Sequence, residues 1–139
     1  MRAFDYFQPT EIRYGTGRLI EVGEVVAGHG TRCLLVTRPP KETGRGMDSA
    51  LHNRIKAYLE GAGVAVEHFT GVIPNPTTDS VTAGAVVAKE FGADVILGVG
   101  GGSTMDTAKA IAVEATHPGT AWDYLWFSEK QPTRVTLPI

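Results

Sequence analysis

One cysteine in 139 residues, Cys33, excludes an internal disulfide and any thiolate metal cluster. Set in the run CLLV, Cys33 reads as a buried strand residue rather than a reactive thiol. Long apolar runs are missing as well. Nothing approaches 18 uninterrupted apolar residues, and the opening MRAFDYFQPT lacks the basic and apolar regions of a signal peptide. A cytoplasmic protein that engages no membrane is expected. Excess charge of either sign is absent, since 13 basic residues face 15 acidic ones and no basic run exceeds a pair. Without a basic face the chain is not expected to take nucleic acid as a partner. Paired histidine spacing is lacking too: His29, His52, His68 and His117 fall in a helix end, a helix, a strand and a loop, with no i, i+4 pair and no acidic residue in a ligand-like arrangement. No metal ligands are assigned.

What is present fits one domain with a real core, because 139 residues at 42% hydrophobic content are too few for two ordinary domains. Apolar runs of four to six residues alternate with helical patterns, which predicts βα units and a parallel sheet with helices on both faces. The first strand is CLLVT, residues 33 to 37, followed by a helix with Met47, Leu51, Ile55 and Leu59 on one face, ended by Gly61 and Gly63. The second is VAVEHF, residues 64 to 69, followed by a helix carrying Val81, Ala85, Ala88 and Phe91. Pro74 and Pro76 forbid helix before Thr77. The third is DVILGV, residues 94 to 99, whose lack of alternation suits a strand covered on both faces, followed by a helix to about Ala115. Ahead of these units, FDYFQPTEIRYG alternates and carries Pro9, which predicts an edge strand or hairpin, and GRLIEVGEVVAGHG predicts a short helix ending near Gly28 or Gly30.

The most permissive backbone is the stretch GVGGGSTMDTAKAIA, residues 98 to 112. Gly100, Gly101 and Gly102 can adopt positive φ and have no Cβ to hold a ligand away. A helix starting at Ser103 presents free N–H groups and a positive dipole end to the loop, and together these features predict a phosphate cradle. Ser103 and Asp106 have the spacing of a capping box, in which Asp106 shapes the loop rather than touching an anion. Lys109 lies roughly 9 Å up the helix axis, too far for a phosphate clamp, and an ion pair with Asp106 is expected instead. The glycine pattern misses G-x-G-x-x-G at its last position and follows the third βα strand, so it is not the usual dinucleotide fingerprint. Chemistry alone stops at a phosphate-containing ligand.

Three blocks in order, PTEIRYGTG at 9 to 17, PNPT at 74 to 77 and GVGGGSTMDTAKAIA at 98 to 112, resemble the N-terminal domain of the iron-containing (group III) alcohol dehydrogenases. The tail TAWDYL…TLPI resembles the butanol-dehydrogenase-like branch. Ser103 also fits, since the related dehydroquinate synthases tend to carry a valine there and glycerol dehydrogenases a lysine. The resemblance implies a Rossmann-like NAD(P)-binding domain over residues 1 to 139, joined in a whole enzyme to a helical domain that holds Fe²⁺ or Zn²⁺ on one aspartate and three histidines. There the metal polarises a small alcohol or aldehyde and hydride passes to or from nicotinamide. It also implies that the glycine loop of Gly100, Gly101, Gly102, Ser103 and Thr104 contacts the pyrophosphate, with Asp106 beside it, and that Asn75 contacts the cofactor. Many NAD-using members have an aspartate after "VT" on the first strand, where this chain has Arg38. A guanidinium pairs well with a 2′-phosphate, which favours NADP(H); the alternative is a solvated arginine turned outward by Pro39 and Pro40.

The C-terminal stretch crowds Trp122, Tyr124, Leu125, Trp126 and Phe127 together and stops inside what reads as a new apolar strand, VTLPI. The expectation is the N-terminal part of a longer metal-dependent dehydrogenase, inactive by itself and self-associating as a homo-oligomer through this apolar segment. Two other readings stay open: a stand-alone nucleotide-binding module without catalysis, and a synthase or lyase of the dehydroquinate synthase type.

Overall fold

A continuous apolar run becomes a central strand only when both of its faces and both of its edges are covered, and Arg32–Val36 (β1) meets that condition. In the computed structural model, which describes residues 9–40, 48–125, 127–133 and 135–139, β1 pairs in parallel with Ala65–Phe69 (β2) on one side and Val95–Gly98 (β3) on the other. Leu34 stands opposite both Glu67 and Ile96. Two helices cross over between the strands, Ser49–Gly61 (α2) and Thr78–Phe91 (α3), while Gly102–Thr116 (α4) follows β3 and Val22–Ala27 (α1) precedes β1.

Side-chain alternation divides the core. Leu34, Val36 and Ile96 pack with Val72, Val81, Ala88, Ala108 and Ile111 under α3 and α4. Cys33, Leu35 and Val95 pack with Val26, Ile55, Leu59 and Val64 under α1 and α2. Burying a leucine or isoleucine completely is worth about 1.5 to 3 kcal/mol, and Leu34, Leu35, Ile55, Leu59 and Ile111 are all completely buried. Burial pushes the Cys33 thiol up to about 12, against a weaker opposing hydrogen bond from the Leu97 backbone, so the cysteine is a core atom without thiolate chemistry.

Local signals set the helix ends. Asp48 caps α2 by accepting the Ala50 N–H at 3.0 Å, and Thr77 caps α3 by accepting the Ser80 N–H. Gly92 at φ 69° closes α3, while the Ala93 N–H returns to the Ala88 carbonyl at 2.9 Å. The short N-terminal helix is a 3₁₀ turn, Arg18–Glu21, continuing into α1 and stopping at Gly28.

Two expectations change here. The described part of the predicted hairpin, residues 9 to 14, forms no strand, and residues 1 to 8 lie outside the described ones, as does Met47. The VTLPI segment forms no strand either. It touches the open edge of β3 through one bond, Ile96 N–H to the Pro138 carbonyl at 2.9 Å, with Leu137 against the core. Pro138 has no amide to give and the Thr136 amide is turned back to the Thr133 carbonyl at 3.1 Å, so neither can enter a ladder.

At the N-terminal edge of the sheet, Asp94 fastens β3 to β1. Its carboxylate accepts the Thr31 N–H at 2.9 Å, the Arg32 N–H at 2.7 Å and the Thr31 hydroxyl at 3.1 Å. Arg32 in turn donates to the Phe91 and Gly92 carbonyls and lies over the Phe91 ring at 4.3 Å. Burial would raise the Asp94 pKa, but the hydrogen bonds from Thr31 and Arg32 outweigh it and hold the carboxyl below its usual range. A depressed folded-state pKa contributes stability that is complete above the unfolded value, about 3.9, and is lost as pH falls through the folded value. Asp94→Ala is expected to cost about 1–2 kcal/mol at pH 7. Denaturant melts at pH 7 and pH 3 check both parts: the difference between wild type and variant should shrink at the lower pH.

Candidate functional site

The loop between β3 and α4 is shaped by close approach. Its three glycines can adopt positive φ but none does; among the described residues the positive-φ glycines are Gly15, Gly17, Gly63, Gly92 and Gly119. A Cβ on Gly98 would come within 3.1 Å of the Ala108 Cβ, and one on Gly100 within 2.2 Å of Thr104 Oγ1. Those two glycines let the first turn of α4 lie against the end of β3. Gly101 and Gly102 differ, since a Cβ on either meets nothing within 4 Å. They face open space.

Gly101, in extended conformation, is the N-cap of α4 and has no side chain to cap with. The Thr104 and Met105 amides both donate to its carbonyl, at 2.9 and 3.1 Å. The amides of Gly102 and Ser103 precede any intrahelical acceptor and remain available. In the same turn Thr104 is completely buried against Gly100, and its Oγ1 has no hydrogen-bond partner among the described residues. Open amides, a positive helix end and an orphaned buried hydroxyl make a fitting seat for a phosphate oxygen.

The predicted capping box at Ser103 and Asp106 is absent. Ser103 sits inside the helix, where its carbonyl accepts the Thr107 hydroxyl at 2.7 Å. The capping-box pattern is satisfied instead at Thr120 and Asp123, where the Thr120 N–H donates to the carboxylate at 2.9 Å and opens a 3₁₀ turn, Ala121–Tyr124. Nor do Asp106 and Lys109 form an ion pair: both side chains are exposed, and solvent competes for them. Asp106 instead lines a cleft of about 770 Å³ between the start of α3 and α4, shared with Pro76, Thr77, Thr78, Trp122 and Leu125.

The other two loops at this edge of the sheet carry Asn75 and Arg38. Asn75 has φ 52°, the one positive φ outside glycine among the described residues, between Pro74 and Pro76. Asparagine tolerates this region better than most residues, which suits it to the turn between two prolines. Arg38 follows the buried Thr37 at the end of β1, is half-buried, and has no ion-pair partner among the described residues. Because β1 neighbours β3, these residues and the glycine loop share one edge of the sheet.

The profile of the iron-containing alcohol dehydrogenases matches residues 9–139. The chain belongs to that family. It is 33% identical to NADH-dependent butanol dehydrogenase A of Clostridium acetobutylicum across the whole of this chain and 34% of that protein. An archaeal halo-thermophilic alcohol dehydrogenase from a Red Sea brine pool superposes with a TM-score of 0.82 at 36% identity, over 99% of this chain and 36% of its own. Sulfoacetaldehyde reductase from Bifidobacterium kashiwanohense, solved with NAD⁺, superposes with a TM-score of 0.78 at 30% identity, over 100% of this chain and 35% of its own. The chain thus spans about a third of the length of the relatives it matches. Among the described residues no three His, Cys, Asp or Glu side chains come together to hold a metal ion, so they do not fit the family's iron. No helix among them is long and apolar enough to cross a membrane.

Sequence reasoning missed one cluster at this edge. His52 and His68, far apart in the chain, stack with ring centroids 4.3 Å apart, and only the crossover between α2 and β2 brings them together. It also missed the orphaned Thr104 hydroxyl. Thr104→Val keeps the shape and removes the unpaired hydroxyl. In the absence of ligand it is expected to leave stability unchanged or raise it by about 1 kcal/mol, measured as a shift in the thermal melt; a loss of that size would reveal a partner for the hydroxyl.

Proposed function

We propose that this chain is the dinucleotide-binding domain of a metal-dependent alcohol dehydrogenase or aldehyde reductase that uses NAD(P). The observation that carries the reading is the phosphate seat at the start of α4, where the amides of the first turn face the open space left by Gly101 and Gly102. The amides of Gly101, Gly102 and Ser103 and the Thr104 hydroxyl hold the pyrophosphate, and the glycine loop lets backbone approach it without a Cβ between. Asn75 presents its amide from the neighbouring loop, and Arg38 takes the adenosine 2′-phosphate, which makes NADP(H) the preferred form. Asp106 faces the cleft and leaves the phosphate seat free of its charge.

When bound, the nicotinamide supplies or accepts a hydride, exchanged with a small alcohol or aldehyde. Family membership supports that substrate class, as do the names of the relatives. The iron is assigned to other parts of the whole protein, and the 139-residue chain alone is expected to bind cofactor without turning over alcohol. Trp122 and Phe127, 64% and 66% exposed, support assembly of the protein into a homo-oligomer through its C-terminal segment.

Two variants test the reading by calorimetric titration with NADPH and NADH. Gly102→Ala places a methyl group in the open space above the amides, so cofactor affinity should fall at least about tenfold while the thermal midpoint of the free chain holds. Arg38→Asp should raise the preference for NADH over NADPH by about one to two decades, from the about 1.5 to 3 kcal/mol of a charge-assisted hydrogen bond. Unaltered affinity in the first variant removes the glycine seat from the site, and unaltered selectivity in the second turns Arg38 to solvent.

A further inference from the structure

His52 lies in the first turn of α2, and His68 stands one residue before the end of β2. Their rings stack at 4.3 Å with planes inclined by 17°. With Pro40 and Ser49 they line a cavity of about 100 Å³. At about 30 Å³ for each water that is room for roughly three, enough for a group the size of a phosphate and too little for a purine.

The hydrogen bonds fix the state of one ring. The Thr37 hydroxyl has a single proton, which it donates to the Arg38 carbonyl at 2.7 Å. Its 2.8 Å contact with His68 Nε2 therefore has the imidazole as donor. His68 is thereby tied through Thr37 to the backbone of Arg38. His52 Nε2, by contrast, is buried without a partner. Among the described residues no carboxylate lines the cavity: Glu67 turns back to accept the His68 N–H at 3.2 Å, Asp48 is engaged with the Ala50 N–H, and Lys56 pairs with Glu60 at 3.7 Å.

Strand order gives the cavity its place relative to the phosphate seat. From the glycine loop on β3, Arg38 on β1 is one strand away and His68 on β2 is two. At about 4.8 Å for each step the ends of β2 and β3 stand about 10 Å apart along the sheet, which is the reach of a pyrophosphate followed by a ribose and its 2′-substituent, and His68, paired with Leu35, lies on the α2 face.

We propose that this cavity receives the 2′-phosphate of an adenosine dinucleotide, with His52 Nε2 and the Ser49 hydroxyl donating to it and His68 acting as a positioning residue that supports the His52 ring and, through Thr37, the Arg38 backbone. The inference rests on the cofactor reading above and adds a built pocket to the single guanidinium. Burial, then the nearby His52, and to a smaller degree Lys56, hold the His68 pKa below the usual imidazole range against the pull of Glu67. His68 is thus held toward its neutral form, and a dianion bound beside it favours uptake of a proton.

The test uses the 139-residue chain with 2′,5′-ADP and 5′-AMP, which differ only in the 2′-phosphate, titrated calorimetrically at pH 7.5 in buffers of different ionisation heat. The wild type should bind 2′,5′-ADP at least about tenfold more tightly than 5′-AMP and take up more protons with it. His52→Gln should weaken the preference for 2′,5′-ADP at least about threefold, the remainder resting on Arg38, and leave 5′-AMP binding as it was. Should that variant fail to fold, histidine-¹⁵N resonances of the wild type decide: His52 should shift with 2′,5′-ADP and stay put with 5′-AMP. Equal affinities for the two nucleotides overturn the proposal, and so does a preference that His52→Gln leaves unchanged. Binding of neither nucleotide is a different failure, since it sinks the cofactor reading on which the proposal stands.

Discussion

The closeness of α4 to the end of β3 governs the rest of the site. Gly98 and Gly100 leave no room for a side chain, so Ala108 and Thr104 sit directly on the strand, and the first turn of the helix is held at the C-terminal edge of the sheet. A larger residue at either position would lift that turn and carry the amides of Gly102 and Ser103 with it. Gly101 and Gly102 are small for another reason, the space above them. Within five residues, the same amino acid serves packing in one pair and ligand approach in the next.

Such a lever works only against a rigid base. β1 supplies it, with Leu34, Leu35 and Val36 completely buried and both edges paired. The Asp94 bridge fixes the opposite end of β3, so the loops at the C-terminal edge move least where the cofactor chemistry needs them fixed. The order of the strands then sorts the loops by distance from the glycine seat. Arg38 leaves the central strand, while the histidine cavity lies over the outer one. An elongated dinucleotide suits that arrangement better than a compact ligand does.

Much of this was legible in the sequence because short-range physics decided it. Proline at 74 and 76 and glycine at 92 bracket α3 with no help from tertiary contacts, and unbroken apolar runs identify strands covered on both faces. The three motif blocks carried the family. Where spacing alone was used, it misled: S-x-x-D reads identically at 103–106 and would cap a helix only if the first residue stood outside it, whereas Gly101 takes that place and puts Ser103 within the first turn. The glycine loop was only half legible for a related reason. Sequence shows that a residue permits positive φ but not whether the backbone uses it, and here steric closeness is what needs the glycines. The His52–His68 stack was out of reach, since it depends on register and on where α2 begins over β2.

Two side-chain atoms among the described residues are buried without a hydrogen-bond partner, Thr104 Oγ1 and His52 Nε2. Natural cores avoid such atoms because each one loses its water and gains nothing in return. Had they been packing accidents, nothing would relate their positions. Yet one lies against the glycine loop and the other lines the cavity beside β1, both at the edge of the sheet where parallel α/β proteins bind their ligands. The free chain is therefore less stable than its fold allows, in two places that a single dinucleotide could satisfy together. A ligand that supplies both missing partners binds the folded state alone and stabilises it by mass action. On this view the incomplete hydrogen bonding of the free domain is the reserve from which its affinity for cofactor is drawn.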